Sequence, residues 1–261
     1  MGANGAVELG LGLISLGREW ATRKPPLPTL DEARGLLELA LDLGIRFLDT
    51  APCYGSSEEK LGIFLRSLPT ERLSGLVVAT KCGEEWIEET RSTKVDHSYD
   101  SLCRSIDRSL DRLPVIHLLQ IHKATAEVVT DTRVLRALDY AGSRGITEFG
   151  ASVKDLDAAR YTLANPLFSY LQFPFNILHP ELREIFEMAE GSGRKLIINR
   201  PLAMGSLVLD QEGRTRGVEA IAEAFRFVMQ HSFSGVLLMG TSSETHLRQN
   251  IVAWHQVLPQ V

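Results

Sequence analysis

The feature that most constrains this chain is an alternation running from one end to the other. Short, nearly continuous apolar runs alternate with longer segments whose apolar residues recur at helical spacing. The runs fall at 9–16, 45–49, 76–81, 115–121, 147–151, 169–173, 195–199 and 235–239, and the helical segments at 29–43, 58–68, 99–113, 128–143, 154–164, 181–190, 218–231 and 244–257. A strand apolar on both faces is buried on both faces, as parallel strands covered by helices must be. Eight such strand–helix units in 261 residues predict an α/β fold, a (β/α)8 barrel, as one domain over 1–261. A doubly wound sheet is the alternative, but it would need an early Gly-rich dinucleotide turn, and LGLGL at 9–13 is not GxGxxG. No linker or low-complexity stretch interrupts the pattern.

Composition narrows the partners. Hydrophobic residues make up 44% and charged residues 23%, an ordinary soluble balance. A net charge of −5 without a basic cluster argues against nucleic acid. No apolar run is long enough to cross a membrane. The opening MGANGA has no signal pattern, and Ala6 stands where a myristoylation site needs Ser or Thr. The expectation is a cytoplasmic protein. Cys53, Cys82 and Cys103 read as free thiols, and no closely spaced ligand pairs predict a metal.

The polar residues at the strand ends carry the chemistry. In GIRFLDTAPCYGSSEEKLG, residues 44–62, the second strand ends in Asp49, and Pro52 and Gly55 shape a loop holding Tyr54. The third strand ends in Lys81, and the fourth runs into His122. Alone, each has an ordinary explanation as a turn, packing or strand-end residue. In a barrel these ends surround one mouth. A phenol with a reference pKa near ~10 holds its proton too tightly at neutral pH. An ammonium beside it lowers that value, a carboxylate keeps the ammonium charged and aimed, and a neutral imidazole orients a carbonyl oxygen. Such a group protonates an oxygen on which negative charge develops. With no activated Ser or Cys in the set, the attacking hydride must come from a cofactor.

Here the chain resembles the aldo-keto reductase family over nearly its whole length. The matching segments are GIRFLDTAPCYGSSEEKLG, VVATK, SIDRSLDRL with HLLQIHK, EFGAS, LQFPFN, INRPLAMG and LMGTSSETHLRQN. The resemblance implies a (β/α)8 barrel that reduces aldehydes and ketones with NADPH, or oxidises alcohols in reverse. Its Asp-Tyr-Lys-His tetrad falls on Asp49, Tyr54, Lys81 and His122. It also implies cofactor contacts from Gly12. Ser152 and Gln172 match positions that hold the nicotinamide carboxamide. Asn199, Arg200, Leu202 and Gly205 match the loop along the pyrophosphate. Gly240, Thr241, Ser242, His246, Gln249 and Asn250 match the segment around the adenosine phosphate. The small-residue turn before the last helix suits an anion on physical grounds as well.

The chain departs from the family's pattern in places. Val153 stands where an asparagine usually joins the serine, and Asn199 where many members stack an aromatic ring. Gly240 and His246 stand where some members place Lys and Arg on the 2′-phosphate, with Arg248 one turn away. The expectation is NADP(H) ahead of NAD(H). The chain ends soon after Asn250, so the expected substrate side is open, or completed by a neighbouring subunit. Trp20 and Trp86 are expected over the substrate, and 84–91 as a solvated loop. Two rival readings are a nicotinamide-binding regulatory subunit with slow or vestigial catalysis, and a non-redox barrel using Lys81 as a Schiff-base amine. The expected partner is a small carbonyl or alcohol substrate.

Overall fold

A computed structural model describes residues 7–20, 22, 26–210 and 212–258. The MGANGA stretch, with Ala6, lies outside them. Eight parallel strands close into a barrel. They are β1 (Val7–Gly12), β2 (Phe47–Asp49), β3 (Val77–Cys82), β4 (Leu118–Ala124), β5 (Glu148–Val153), β6 (Tyr170–Pro174), β7 (Lys195–Asn199) and β8 (Gly235–Gly240). Each pairs with its neighbour in sequence, and β1 closes the ring on β8, with Val7 opposite Gly235 and Gly12 opposite Gly240. The outer layer is built chiefly by α1 (Leu30–Asp42), α2 (Ser57–Ser67), α3 (Tyr99–Arg112), α4 (Thr132–Ser143), α5 (Leu156–Ala164), α6 (Glu184–Ala189), α7 (Gly217–Met229) and α8 (Glu244–Val257). The (β/α)8 expectation is met.

Local chemistry explains the helix starts. Thr29 and Glu32 form a reciprocal capping box on α1. The expected single helix over 128–143 is broken, because the Asp131 side chain accepts from the Arg133 backbone N–H and starts α4 afresh. A short helix, Ala126–Thr130, precedes it. None of the described helices is long and apolar enough to cross a membrane.

The core has two parts. The larger lies between sheet and helices. The smaller fills the barrel with Phe47, Ala79, Leu118, Tyr170, Ile197, Val236 and Leu238. Side chains on a strand alternate faces, so residues two positions on point the same way. Two residues after Phe47, Ala79, Leu118, Tyr170 and Ile197 come Asp49, Lys81, Gln120, Gln172 and Asn199. An apolar plug is therefore topped by a polar layer at the C-terminal mouth.

One expectation fails here. Residues 84–91 are not a solvated loop but begin an antiparallel hairpin, Glu84–Ile87 against Ser92–Val95. Glu84 is buried at its base, and Arg108 pairs with Glu85 outside.

Candidate active site

The polar layer is organised around one carboxylate. Asp49 Oδ2 lies 2.6 Å from Lys81 Nζ, and Gln120 Nε2 donates to Asp49 Oδ1 at 2.9 Å. Lys81 Nζ also donates to the Thr50 carbonyl at 2.9 Å. Its ammonium sits 5.1 Å from the centre of the Tyr54 ring. Such a buried pair persists only with its remaining hydrogen bonds satisfied. Gln120 was not legible as a site residue, although its place two residues beyond an inward Leu118 is the signal that would have found it.

Tyr54 ends a 3₁₀ turn, Pro52–Tyr54, whose N–H donates to the Ala51 carbonyl. Gly17 backs this turn so closely that a Cβ on it would stand 2.1 Å from the Tyr54 carbonyl oxygen. The Tyr54 phenol is pushed well above its usual value, first by burial, then by Asp49, Cys53 and Glu84. The expected lowering is not met, because burial and these acidic neighbours outweigh the lowering by Arg200. Tyr54 therefore keeps its proton.

His122 is turned into the mouth by an irregularity in β4. The register shifts between Ile121 and Ala124, and Lys123 takes φ of 51°. His97 Nε2 holds the His122 carbonyl at 2.7 Å. The His122 ring lies edge-on to Tyr54, centroids 6.2 Å apart. Its Nδ1 is 3.0 Å from Glu84 Oε2 and 3.4 Å from Cys53 Sγ. Burial, with Lys81, Lys123, Lys154 and His97 nearby, drives its pKa well below the ordinary histidine value. The ring is neutral, and a carboxylate oxygen at 3.0 Å assigns its single proton to Nδ1. Nε2 is then an acceptor, not the hydrogen-bond donor to a carbonyl oxygen that the residue chemistry leads us to expect. Glu84 was also missed, since its burial depends on a hairpin that the sequence pattern concealed.

A cavity of about 490 Å³ opens beside Asp49, Tyr54 and His122. Every residue assigned above to the cofactor lines it, from Gly12 through Ser152, Gln172 and Asn199 to Asn250. After β7 the backbone turns through positive φ at Arg200 (56°), Ala203 (46°), Met204 (58°) and Gly205 (98°). Strain of this kind is held at ligand sites by the structure around it. The Thr22 N–H reaches across the cleft to the Met204 carbonyl. At the start of α8, Ser243 caps the helix and Thr241 accepts from the Ser243 N–H. Gln172 Oε1 and Asn199 Oδ1 are buried without a partner among the described residues. Two unpaired amide oxygens on the wall of a cavity fit a ligand carrying an amide N–H, as a nicotinamide does.

Trp20 lines the cavity, flanked by the guanidinium groups of Arg18 and Arg200, each 5.5 Å from its ring. Trp86 is not brought to the cavity. It belongs to the hairpin, where Arg18 lies 4.5 Å over its ring and Glu88 accepts from its indole N–H. The Schiff-base reading of Lys81 gains no support: its ammonium is tied to Asp49 and the Thr50 carbonyl, and Lys81 is not among the residues lining the cavity.

Comparison with known proteins agrees with this geometry. The sequence model described as "Aldo/keto reductase family" matches residues 8–214. The chain belongs to the aldo/keto reductase family. As a member it is an oxidoreductase, and the family works with nicotinamide cofactors. This aldo/keto reductase is 28% identical to pyridoxal 4-dehydrogenase of Microbacterium luteolum, over 96% of its own length and 90% of the relative's. It is 27% identical to L-galactose dehydrogenase of Arabidopsis thaliana, over 85% and 78% of the two chains. The crystal structure of an assigned aldo-keto reductase from Pseudomonas aeruginosa superposes with a TM-score of 0.79 at 27% identity, covering 96% of this chain and 90% of that one.

Proposed function

We propose that this protein catalyses reversible hydride transfer between a nicotinamide cofactor and a small carbonyl or alcohol, with Tyr54, Lys81, Asp49 and His122 as its acid–base machinery. The observation that carries the reading is the Lys81 ammonium, fixed 2.6 Å from Asp49 and facing the Tyr54 ring on the wall of the cavity. Gln172, Asn199 and Ser152 would hold the nicotinamide end. The loop 200–205 would hold the pyrophosphate, and the start of α8 with His246 and Gln249 the adenosine end. When bound, the cofactor supplies or takes the hydride.

The chain's own residues handle the proton. Tyr54, protonated, donates to the oxygen of a carbonyl being reduced; in the reverse direction it must first release that proton, and the phenolate then takes the proton of the alcohol being oxidised. Lys81 stabilises negative charge on the phenol oxygen in transit, and Asp49 fixes Lys81. His122, accepting at Nε2, orients a hydroxyl. The relatives' names, pyridoxal 4-dehydrogenase and L-galactose dehydrogenase, support the dehydrogenase direction. NADP(H) is favoured over NAD(H), with His246 lining the cavity at the expected 2′-phosphate.

The test is a panel of polyols, aldoses and aromatic alcohols with NADP⁺ and NAD⁺, and of matching carbonyls with NADPH and NADH. Turnover with an alcohol series and a higher kcat/KM for NADP⁺ is expected. Absence of turnover across the panel, with tight cofactor binding, would instead favour the regulatory-subunit reading.

A further inference from the structure

We propose that Cys53, Glu84 and His122 form a binding site for a zinc-like divalent transition-metal ion, with its open coordination position facing the substrate cavity. The three residues are far apart in sequence, which is why no ligand spacing announced them. The chain brings them together from the Tyr54 turn, the hairpin base and the end of β4. Their ligand atoms all lie within 4.8 Å of one another. His122 Nδ1 is 3.0 Å from Glu84 Oε2 and 3.4 Å from Cys53 Sγ.

Those spacings suit one small ion. Bond lengths of ~2.0–2.3 Å in a tetrahedral site separate nitrogen from oxygen by about 3.4 Å and nitrogen from sulfur by about 3.6 Å. The two sides that meet at His122 need open by only a few tenths of an ångström, and the Cys53 and Glu84 ligand atoms lie within 4.8 Å of each other. One imidazole, one thiolate and one carboxylate form a three-ligand set of the type that leaves a fourth position open. All three residues line the cavity, so that position meets it.

The surroundings are compatible. Glu84 uses Oε2 toward the cluster while Oε1 stays 3.6 Å from Lys123 Nζ, so one-oxygen ligation keeps the ion pair. The His122 carbonyl remains anchored by His97. Outer partners of this sort orient metal ligands. Binding is balanced as proton displacement: the Cys53 S–H bond breaks, sulfur bonds the ion, and the proton leaves to solvent. The imidazole keeps its one proton but moves it from Nδ1 to Nε2. A metal thereby reverses the hydrogen-bonding sense of the ring nitrogen left free.

The experiment is a Co²⁺ titration of chelator-treated protein followed by absorption. A thiolate-to-cobalt band in the near ultraviolet is expected, displaced by equimolar Zn²⁺. It should vanish in Cys53→Ser and survive in Cys103→Ser. Glu84→Gln should weaken Zn²⁺ binding, read by competition with a chromophoric chelator, by at least about tenfold. Circular dichroism confirms that each variant is folded; if Cys53→Ser is not, Glu84→Gln carries the test alone. No thiolate band, a band that persists in Cys53→Ser, or unchanged zinc affinity in Glu84→Gln overturns the site.

Discussion

Lys81 and Asp49 make an ion pair of 2.6 Å in which both side chains are 1% exposed. It closes a polar layer in which Gln120 at 2.9 Å and Gln172 at 3.4 Å also donate to Asp49. Removing one partner leaves a buried charge unmatched, a loss that costs about 3–5 kcal/mol. Lys81→Met should lower unfolding stability by that order in urea titration. Asp49→Asn combined with Lys81→Met should cost less than the sum of the single changes, because no lone charge remains. Additive losses would show that the two residues act independently.

Tyr54 is the group whose removal separates chemistry from binding. Tyr54→Phe keeps the ring that packs edge-on to His122 and deletes only the phenol oxygen. General acid–base help contributes ~10²–10⁴ in rate. Turnover should fall by that factor, while cofactor affinity, read by fluorescence quenching, stays within a few-fold. Activity near wild type would remove Tyr54 as proton carrier.

The sequence made the barrel legible because its signal is global. Eight buried strands between helical segments leave little choice of fold, and the limits of β7 and α8 match the pattern to the residue. Asp49, Tyr54, Lys81 and His122 were legible because strand ends and turn residues mark a barrel's mouth. Gln120 was not, since a glutamine inside an apolar run has no local pattern of its own. Glu84 was hidden for a different reason. The charged stretch from Glu84 to Arg91 has the composition of a solvated loop, yet pairing with Ser92–Val95 turns its first residue inward. Trp86 was misplaced by the same hairpin. The direction of the Tyr54 shift also escaped, because burial and three neighbouring acidic groups outweigh the lowering by Arg200.

His122 gives stability a pH signature. Its folded pKa is depressed by burial and by Lys81, Lys123, Lys154 and His97, while Glu84 and Cys53 also face it. The unfolded chain takes up a proton near ~6.5, and the folded chain does not. Stability is therefore fully present above that value and falls as pH drops below it, with a slope approaching about 1.4 kcal/mol per pH unit from this residue. Burial depresses His117 and His231 in the same direction. Urea midpoints should decline from pH 7 to pH 5, and His122→Gln should flatten that decline. An unchanged slope in His122→Gln would assign the effect elsewhere.

Gly17 sets where Tyr54 stands. The glycine lies on the short helix Ile14–Gly17, and Ser56 N–H donates to its carbonyl at 3.3 Å. A Cβ there would meet the Tyr54 carbonyl and the Ser57 N–H, each at 2.1 Å. Both are backbone atoms, so no side-chain rotation relieves the clash and the turn itself must move. Overpacking of this kind typically costs ~1–3 kcal/mol. Its catalytic cost should be larger in proportion, since displacement by an ångström is worth about 10²-fold in a positioned reaction. Gly17→Ala should therefore lose about one to two orders of magnitude in kcat, with the cofactor Kd nearly unchanged and the Tm lowered only modestly. A variant with wild-type kcat would show that the Tyr54 turn is not fixed by this contact.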